Sequence, residues 1–443
     1  MIECAKLEHI KDEETNKLRT NSKWKGLFLA FFVVTVFVGL LLRDSYGVDI
    51  NKYVFLLICS IPILFFDVKY TCLFLSFIFP LYVGLPGNLI SIFILIRFLF
   101  IAVHDKVSLD ANIFVLTVLL SGYILIQNFI TGQTSVYCIM GAVDFIILMF
   151  FFRYALKEKC VDTVIVFYAI GVFSTVFIML MTTLNSYTLL DLLNNSTRLG
   201  ITGLLKDETV SSMVVTIDPN FLGMNAIAVV AAGSVIAGKN KNRKIKICII
   251  ALLVAIAVLS VLGLSRAYFL SLILWVVMYL FSQKNAKRAC AFLLAVIILY
   301  IAFKCFMPDF YDALMERFAG DDIVTGNGRI KLITMYADMW FENIGTFLFG
   351  IGLYNCHTHC APLLYLFGLG ILGFAVLVLL ELNYIFKVRA GHKVRFKYWI
   401  PFFLTLLMSA TIPAAGALSY IYPVFLSILT LNAGVNEGTE KYE

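Results

Sequence analysis

The sequence predicts an all-α polytopic membrane protein of about 14 transmembrane helices (12–14), with a long extracytoplasmic loop before a late helix and both termini cytoplasmic. Three observations predict it. First, 61% of the 443 residues are hydrophobic and only 14% are charged, against about 25% charged in soluble domains; the mean hydropathy is +0.92. Second, the apolar residues fall in runs of roughly 15 to 25, the length that crosses a bilayer as a helix. The strands of a membrane barrel are instead about ten residues long and alternate. Third, the strongly basic connectors recur at positions that strict alternation of spans places on one side of the membrane.

Residues 1–25 form a polar tail with six Lys or Arg and five Asp or Glu, and Lys17, Arg19, Lys23 and Lys25 lie nearest the first apolar run. Cytoplasmic flanks carry such an excess, so the N-terminus is placed inside. No cleavable signal peptide is evident. A single membrane domain, 26–431, follows. Spans are expected at about 26–42, 53–66, 70–84, 89–103, 112–130, 139–156 and 162–184, the second and third short enough to form one bent hairpin. A polar loop, 185–217, carries Arg198, Lys206 and three acids. Spans follow at about 218–237, 247–263, 267–281 and 289–305, then the long loop 306–358, with seven acids against three bases. The last spans are about 359–386, 398–412 and 417–431, and 432–443 form a cytoplasmic tail.

With the N-terminus inside, this order puts the basic connectors Lys239–Lys246, Lys284–Arg288 and Lys387–Lys397 in the cytoplasm and both long loops outside. The net charge of +7 is thus a topology signal and does not point to nucleic acid. The ten cysteines are scattered, mostly inside apolar runs where Cys is a small hydrophobe. No internal repeat of the inverted-transporter kind stands out.

The polar residues that remain concentrate beside the two outer loops. Arg266 lies in Gly263-Leu264-Ser265-Arg266-Ala267, a link between apolar runs too short to be a solvated loop. Its planar, permanently charged fork suits phosphate, and the alternative is a snorkelling Arg. Arg329 follows the turn signal Gly326-Asn327-Gly328 and opens an amphipathic segment along the membrane surface, with Ile330, Ile333, Ala337 and Trp340 on one face and Thr334, Asp338 and Glu342 on another. Free N–H groups at that helix start, beside Arg329, suit an anion; an ordinary exposed Arg is the alternative. His357 and His359 precede the span that begins Ala361-Pro362. An imidazole there can take a proton from a hydroxyl or make a structural hydrogen bond. Cys356-His357-Thr358-His359-Cys360 invites a metal reading, but ligands packed into five residues give poor tetrahedral geometry, so no metal is assigned. Asp218-Pro219-Asn220 opens a span as a helix cap with Pro early in the helix; contact with substrate hydroxyls is the second reading. Arg97, Asp144, Arg153 and Glu381 stand within apolar runs, where charge is a functional candidate or a helix-pairing and snorkelling device.

In pattern and order these residues resemble the O-antigen polymerase/O-antigen ligase superfamily. The resemblance rests on Asp218-Pro219-Asn220-Phe221 at a span start, Ser265-Arg266 at the outer end of a later span, and Gly328-Arg329 in a long outer loop. Gly350-Ile351-Gly352 and a His ahead of Leu369-Gly370-Ile371-Leu372-Gly373 complete it. It covers about residues 210–375. One departure stands out: the family His is usually followed by Asn, whereas Cys360 follows His359. Spacing favours His359 over His357.

The resemblance implies a glycosyltransferase of the bacterial inner (plasma) membrane with its active site on the periplasmic or extracellular side. It needs no metal or other cofactor. The donor and acceptor would be glycans on undecaprenyl pyrophosphate, with a chain-length regulator and a flippase as partners. Arg266 and Arg329 would clamp the pyrophosphate and His359 would orient or deprotonate the acceptor hydroxyl. Asp218, Asn220, Arg198, His357 and Gly328 would line the substrate site. Within that superfamily the acceptor separates a repeat-unit polymerase from a ligase that delivers glycan to a lipid or protein. A transporter of lipid-linked sugars is the reading from another class, and it expects charge along a central path.

Overall fold

Short polar residues set where the helices begin. Asn51, Asp110, Ser135, Asp218 and Asn242 each accept hydrogen bonds from backbone N–H groups of the turn that follows. These are donors that a helix start leaves without intrahelical partners. Between such caps the apolar runs fold as helices. The computed structural model describes residues 2–189, 191–193, 199, 218–282, 286–306, 308–319, 329–389, 393–411 and 417–439. Its helices are α1 (Ile2–Tyr46), α2 (Lys52–Phe65), α3 (Val68–Ile78), α4 (Gly87–His104), α5 (Ala111–Ile130), α6 (Val136–Lys157), α7 (Val161–Leu184), α8 (Pro219–Lys239) and α9 (Arg243–Val261). They continue with α10 (Arg266–Ser282), α11 (Ala286–Phe306), α12 (Pro308–Ala319), α13 (Arg329–Phe341), α14 (Ile344–Phe349), α15 (Ala361–Arg389), α16 (Ile400–Ser409) and α17 (Ala417–Thr439). Among the described residues, all regular structure is helical.

Every apolar run of the sequence falls on a helix. Eight are long and apolar enough to cross a membrane: α1 from Trp24, α4, α5, α6 from Cys138, α7, α8, α9 and α15. Six shorter apolar stretches lie on α2, on α3 with the 3-10 turn after it, and on α10, α11, α16 and α17. The second and third runs are separate helices, broken at Phe66 and Asp67. The span expected from 359 begins as a helix at Ala361, which leaves both histidines in the preceding loop.

The chain is a multi-pass helical bundle around α8. The membrane-length window of α8 is 83% buried, against 22% for those of α1 and α9, so α8 is central and the other two lie outside it. Gly223 makes this possible, because Tyr268 of α10 and Met408 of α16 both press against the space a Cβ would need.

Contacts between helix ends define the two ends of the bundle. At one end, ion pairs join Lys25 to Asp67 (2.5 Å), Lys239 to Asp162 (3.4 Å) and Lys387 to Asp110 (2.8 Å). There too Arg153 donates to the Ser108 carbonyl at 2.9 Å. Lys239 and Lys387, from two of the basic connectors, take part in these pairs. At the other end lie the C-termini of α1 and α7, where Ser45 and Thr182 share a hydrogen bond of 3.0 Å, together with the start of α8, the α9–α10 turn and the loop before α15.

The intramembrane charges are mostly tied to backbone or hydroxyl groups. Arg97 donates to the Phe66 carbonyl at 3.0 Å, and Asp144 accepts from Ser91 at 3.2 Å. Glu381 stands partly exposed on α15.

Candidate functional site

Three motifs distant in sequence lie at the less basic end. The first is the start of α8. Asp218 caps it, with Oδ1 accepting from Asn220 N at 2.7 Å and Phe221 N at 3.4 Å, and Pro219 fits the first helical position, where no N–H is needed. The second is the start of α10. The turn from α9 runs through Leu264, a buried residue at φ 46°, and brings Ser265 onto α8. Ser265 Oγ donates to Asn220 Oδ1 at 2.7 Å and accepts from Tyr268 N at 3.3 Å. Tyr268 Oη ties α10 back to the Ala257 carbonyl of α9 at 3.1 Å. Arg266, half-buried, is therefore carried on a doubly anchored helix start beside Asn220. Leu199, between α7 and α8, is pinned to the same turn, its N–H donating to the Leu262 carbonyl at 3.1 Å.

The third is the loop 350–360 with α13 and α14. Its anchor is a break in α15. Gly370 has φ 67° and ψ 179°, which interrupts the helix in a region that only Gly enters freely. The interruption frees carbonyls, and each finds a donor, as a helix broken at membrane depth requires. Ile351 N donates to Phe367 O at 3.0 Å and Gly352 N to Gly368 O at 3.1 Å. Gln127 of α5 donates from Nε2 to Gly368 O (2.5 Å) and Phe349 O (2.6 Å), and its Oε1 accepts from Leu353 N at 3.3 Å. The Tyr123 hydroxyl lies 2.7 Å from both Phe349 O and Leu369 O. Gly350, at φ 82°, sits against Gly368 O and Gly370 N with no room for a Cβ. The Gly-x-Gly and the Leu-Gly-x-x-Gly are thus two halves of one junction. Gln133 completes it by donating to Asn355 at 2.7 Å.

On that junction stand the histidines. His357 is exposed and His359 half-buried, with Thr358 buried between them. Nδ1 of His359 is shielded from solvent and has no hydrogen-bond partner among the described residues. Burial and the Arg329 guanidinium pull the His359 pKa below its ordinary value, and the Asp218 carboxylate opposes them. Arg329 and Asp218 each lie within electrostatic reach of His359. Neutral imidazole is the favoured form, which is the form a proton acceptor needs.

Arg329 opens α13, on the helix face shared with Tyr336 and Trp340, both buried. Trp340 packs against Phe367 of α15 in a tilted arrangement, with ring centroids 5.4 Å apart, and donates from Nε1 to the Phe347 carbonyl at 3.1 Å. The buried face thus runs through Tyr336 and Trp340. Ile330, expected on that face, is 59% exposed, because the helix packs on α15 as well as meeting the surroundings along its edge. Arg198 and Gly328 lie outside the described residues. Among the described residues, no three His, Cys, Asp or Glu side chains group to hold a metal. Burial also raises the Cys356 and Cys360 thiols, away from the thiolate that binds metal.

Sequence reasoning passed over Tyr123 and Gln127. The signal for Gln127 is an amide inside the apolar run 112–130, where an unpartnered polar group is costly.

A scan against protein-family models and a search of curated proteins find no match to the chain.

Proposed function

We propose that the protein is an extracytoplasmic glycosyltransferase that polymerises oligosaccharide repeat units carried on undecaprenyl pyrophosphate into an O-antigen, capsular or exopolysaccharide. The observation that carries this reading is the gathering of Asp218 and Asn220, Ser265 and Arg266, Arg329, and His359 at the less basic end of a helical bundle. They are the elements on which the resemblance rests, and the fold joins them although they lie up to 141 positions apart. In this reading all 14 apolar runs are spans and the polar end faces outward, as the clustering of basic connectors at the opposite end supports.

The chemistry follows from the side chains. The acceptor hydroxyl oxygen attacks the anomeric carbon of the donor and its proton passes to His359. The bond from that carbon to the pyrophosphate oxygen breaks, and the pyrophosphate leaves with the bonding pair. Arg266 and Arg329 carry fixed positive charge to where that negative charge grows, which lowers the barrier without reorganisation during the reaction. Direct displacement inverts the anomeric centre. Polar groups gathered at one end, rather than strung along a central path, support an enzyme over a transporter.

The test is the purified protein in nanodiscs with an undecaprenyl-pyrophosphate-linked repeat unit, the products being separated on a gel. A ladder of longer lipid-linked glycans is the expected result. Transfer only after a lipid or protein acceptor is added would make it a ligase. Movement of the lipid-linked sugar across liposomes without any new glycosidic bond would overturn the enzyme reading.

A further inference from the structure

We propose that Gln127 is a positioning residue for His359: its amide holds both ends of the histidine loop together and so sets where the imidazole stands. For the transfer step this rests on the reading above; the clamp itself rests on hydrogen bonds. At the entry to the loop, Nε2 of Gln127 donates to Phe349 O at 2.6 Å and Oε1 accepts from Leu353 N at 3.3 Å. At the exit, Nε2 donates to Gly368 O at 2.5 Å, on the helical piece that runs from Ala361 to the break at Gly370. A primary amide offers two N–H donors and one carbonyl oxygen, so both donors and the oxygen are engaged. Gln127 lies on α5, outside the part of the chain that carries the resemblance. The first half of the chain thus takes part in the site.

Between the two ends the loop is held closely. Gln133 donates to Asn355 at 2.7 Å, and Gly141 of α6 leaves the space that the Tyr354 hydroxyl occupies, where a Cβ would collide with it. Cys356 and Thr358 are buried. Thr358 Oγ1 and Leu364 N both donate to the Cys360 carbonyl, at 3.0 Å and 2.8 Å. His359 therefore sits between two fixed segments, and a displacement at 349–353 is passed on to it. Without the amide, Leu353 N loses its hydrogen bond, and the Phe349 and Gly368 carbonyls keep only Tyr123 and Gly352. A buried N–H without a partner is costly, so the segment must move. The phosphate side is anchored elsewhere, through Asn220 and Ser265 beside Arg266. A displaced histidine loop should therefore change kcat and spare donor KM.

Buried Cys356 reports on the loop without any substrate. The full chain in nanodiscs is treated with N-ethylmaleimide, and peptide mass spectrometry reads labelling at Cys356 as a ratio to the unsubstituted protein at the same pH. Gln127→Glu keeps the shape of the side chain. Its acid can donate to a carbonyl when protonated, and its carboxylate can only accept. At alkaline pH its Cys356 labelling should rise about tenfold, the scale of one lost buried hydrogen bond. Its kcat should fall about a hundredfold, the scale of a misplaced reacting group, with donor KM little changed. Both ratios should return toward one as pH falls. Gln127→Leu should show both effects at every pH. Asn128→Ala removes the neighbouring buried amide and its bond to the Cys138 carbonyl at 3.0 Å; it should leave Cys356 labelling and kcat unchanged.

Labelling and kcat that neither Gln127 variant moves overturn the proposal, as does labelling that Asn128→Ala raises equally. Raised labelling with normal kcat overturns it too, because transfer would then not depend on where the loop stands. Raised labelling in the variants of a protein that, unsubstituted, builds no glycosidic bond with any acceptor would instead uphold the clamp and overturn the proposed function. If Gln127→Leu does not fold, Gln127→Glu compared at acid and alkaline pH decides alone.

Discussion

The two ends of this bundle handle polar residues in opposite ways. At the basic end, charges meet opposite charges across exposed or part-buried positions: Lys25 with Asp67, Lys387 with Asp110, Lys239 with Asp162. Each pair is solvated, and exposed pairs of this kind contribute about 0–1 kcal/mol. At the other end one ion pair, Arg43 with Asp44 at 2.7 Å, is buried near the end of α1, and the groups around the α8 start and the α15 break are held by neutral hydrogen bonds and backbone geometry. Ser265 fixes Asn220, Gln127 fixes the 349–353 segment, and glycines at Gly350 and Gly370 let two backbones touch. The first arrangement orients a chain in a membrane. The second carries Arg266, Arg329 and His359, the residues that the proposed function uses. Stability explains the first end well and the second poorly.

The comparison breaks most sharply at the arginines. Arg266→Ala and Arg329→Ala should each lower transfer by about a thousandfold, the scale of losing a charge-stabilising donor, while membrane insertion stays intact. Polymer of normal length from either variant would remove that residue from the chemistry. Next come the histidines. His359→Ala should cost about a hundredfold in kcat, and His357→Ala far less, since His357 is exposed on the far side of Thr358. The reverse order in a gel assay would place the reacting group at His357.

The junction is expected to respond through conformation. Gly370→Ala must hold a Cβ at φ 67° against Leu348 and Gly350, at a cost of about 1–3 kcal/mol for the backbone alone. It should lower the melting temperature and the activity together, and a variant with full activity and unchanged melting would show that the break in α15 is dispensable. The smallest effect belongs to the basic end. Lys387→Ala loses one exposed pair, and Asp110 keeps its capping bonds to Asn112 and Ile113. Its melting temperature should shift by no more than the roughly 1 kcal/mol of such a pair, with transfer unaffected.

Much of this was legible in the residues. Apolar runs long enough for a bilayer gave helices at nearly every expected position, because hydropathy and helix formation act over neighbouring residues. The boundary differences are short-range too: the helix after His359 starts two residues late, at Ala361. Asp218 reads as a cap in sequence and is one.

The sequence by itself therefore determined the helices, their order, the clustering of basic connectors and the residue types available for chemistry. Only the tertiary structure decided that Asn220 bonds Ser265, that the Arg329 helix docks through Trp340, and that Gly350 threads against a broken α15 under the grip of Gln127 and Tyr123. Those contacts join residues up to 246 positions apart. Local propensity carries no information about such distances. They are set by how close two helices can approach, which depends on where glycine removes a side chain and where a buried carbonyl must find a donor.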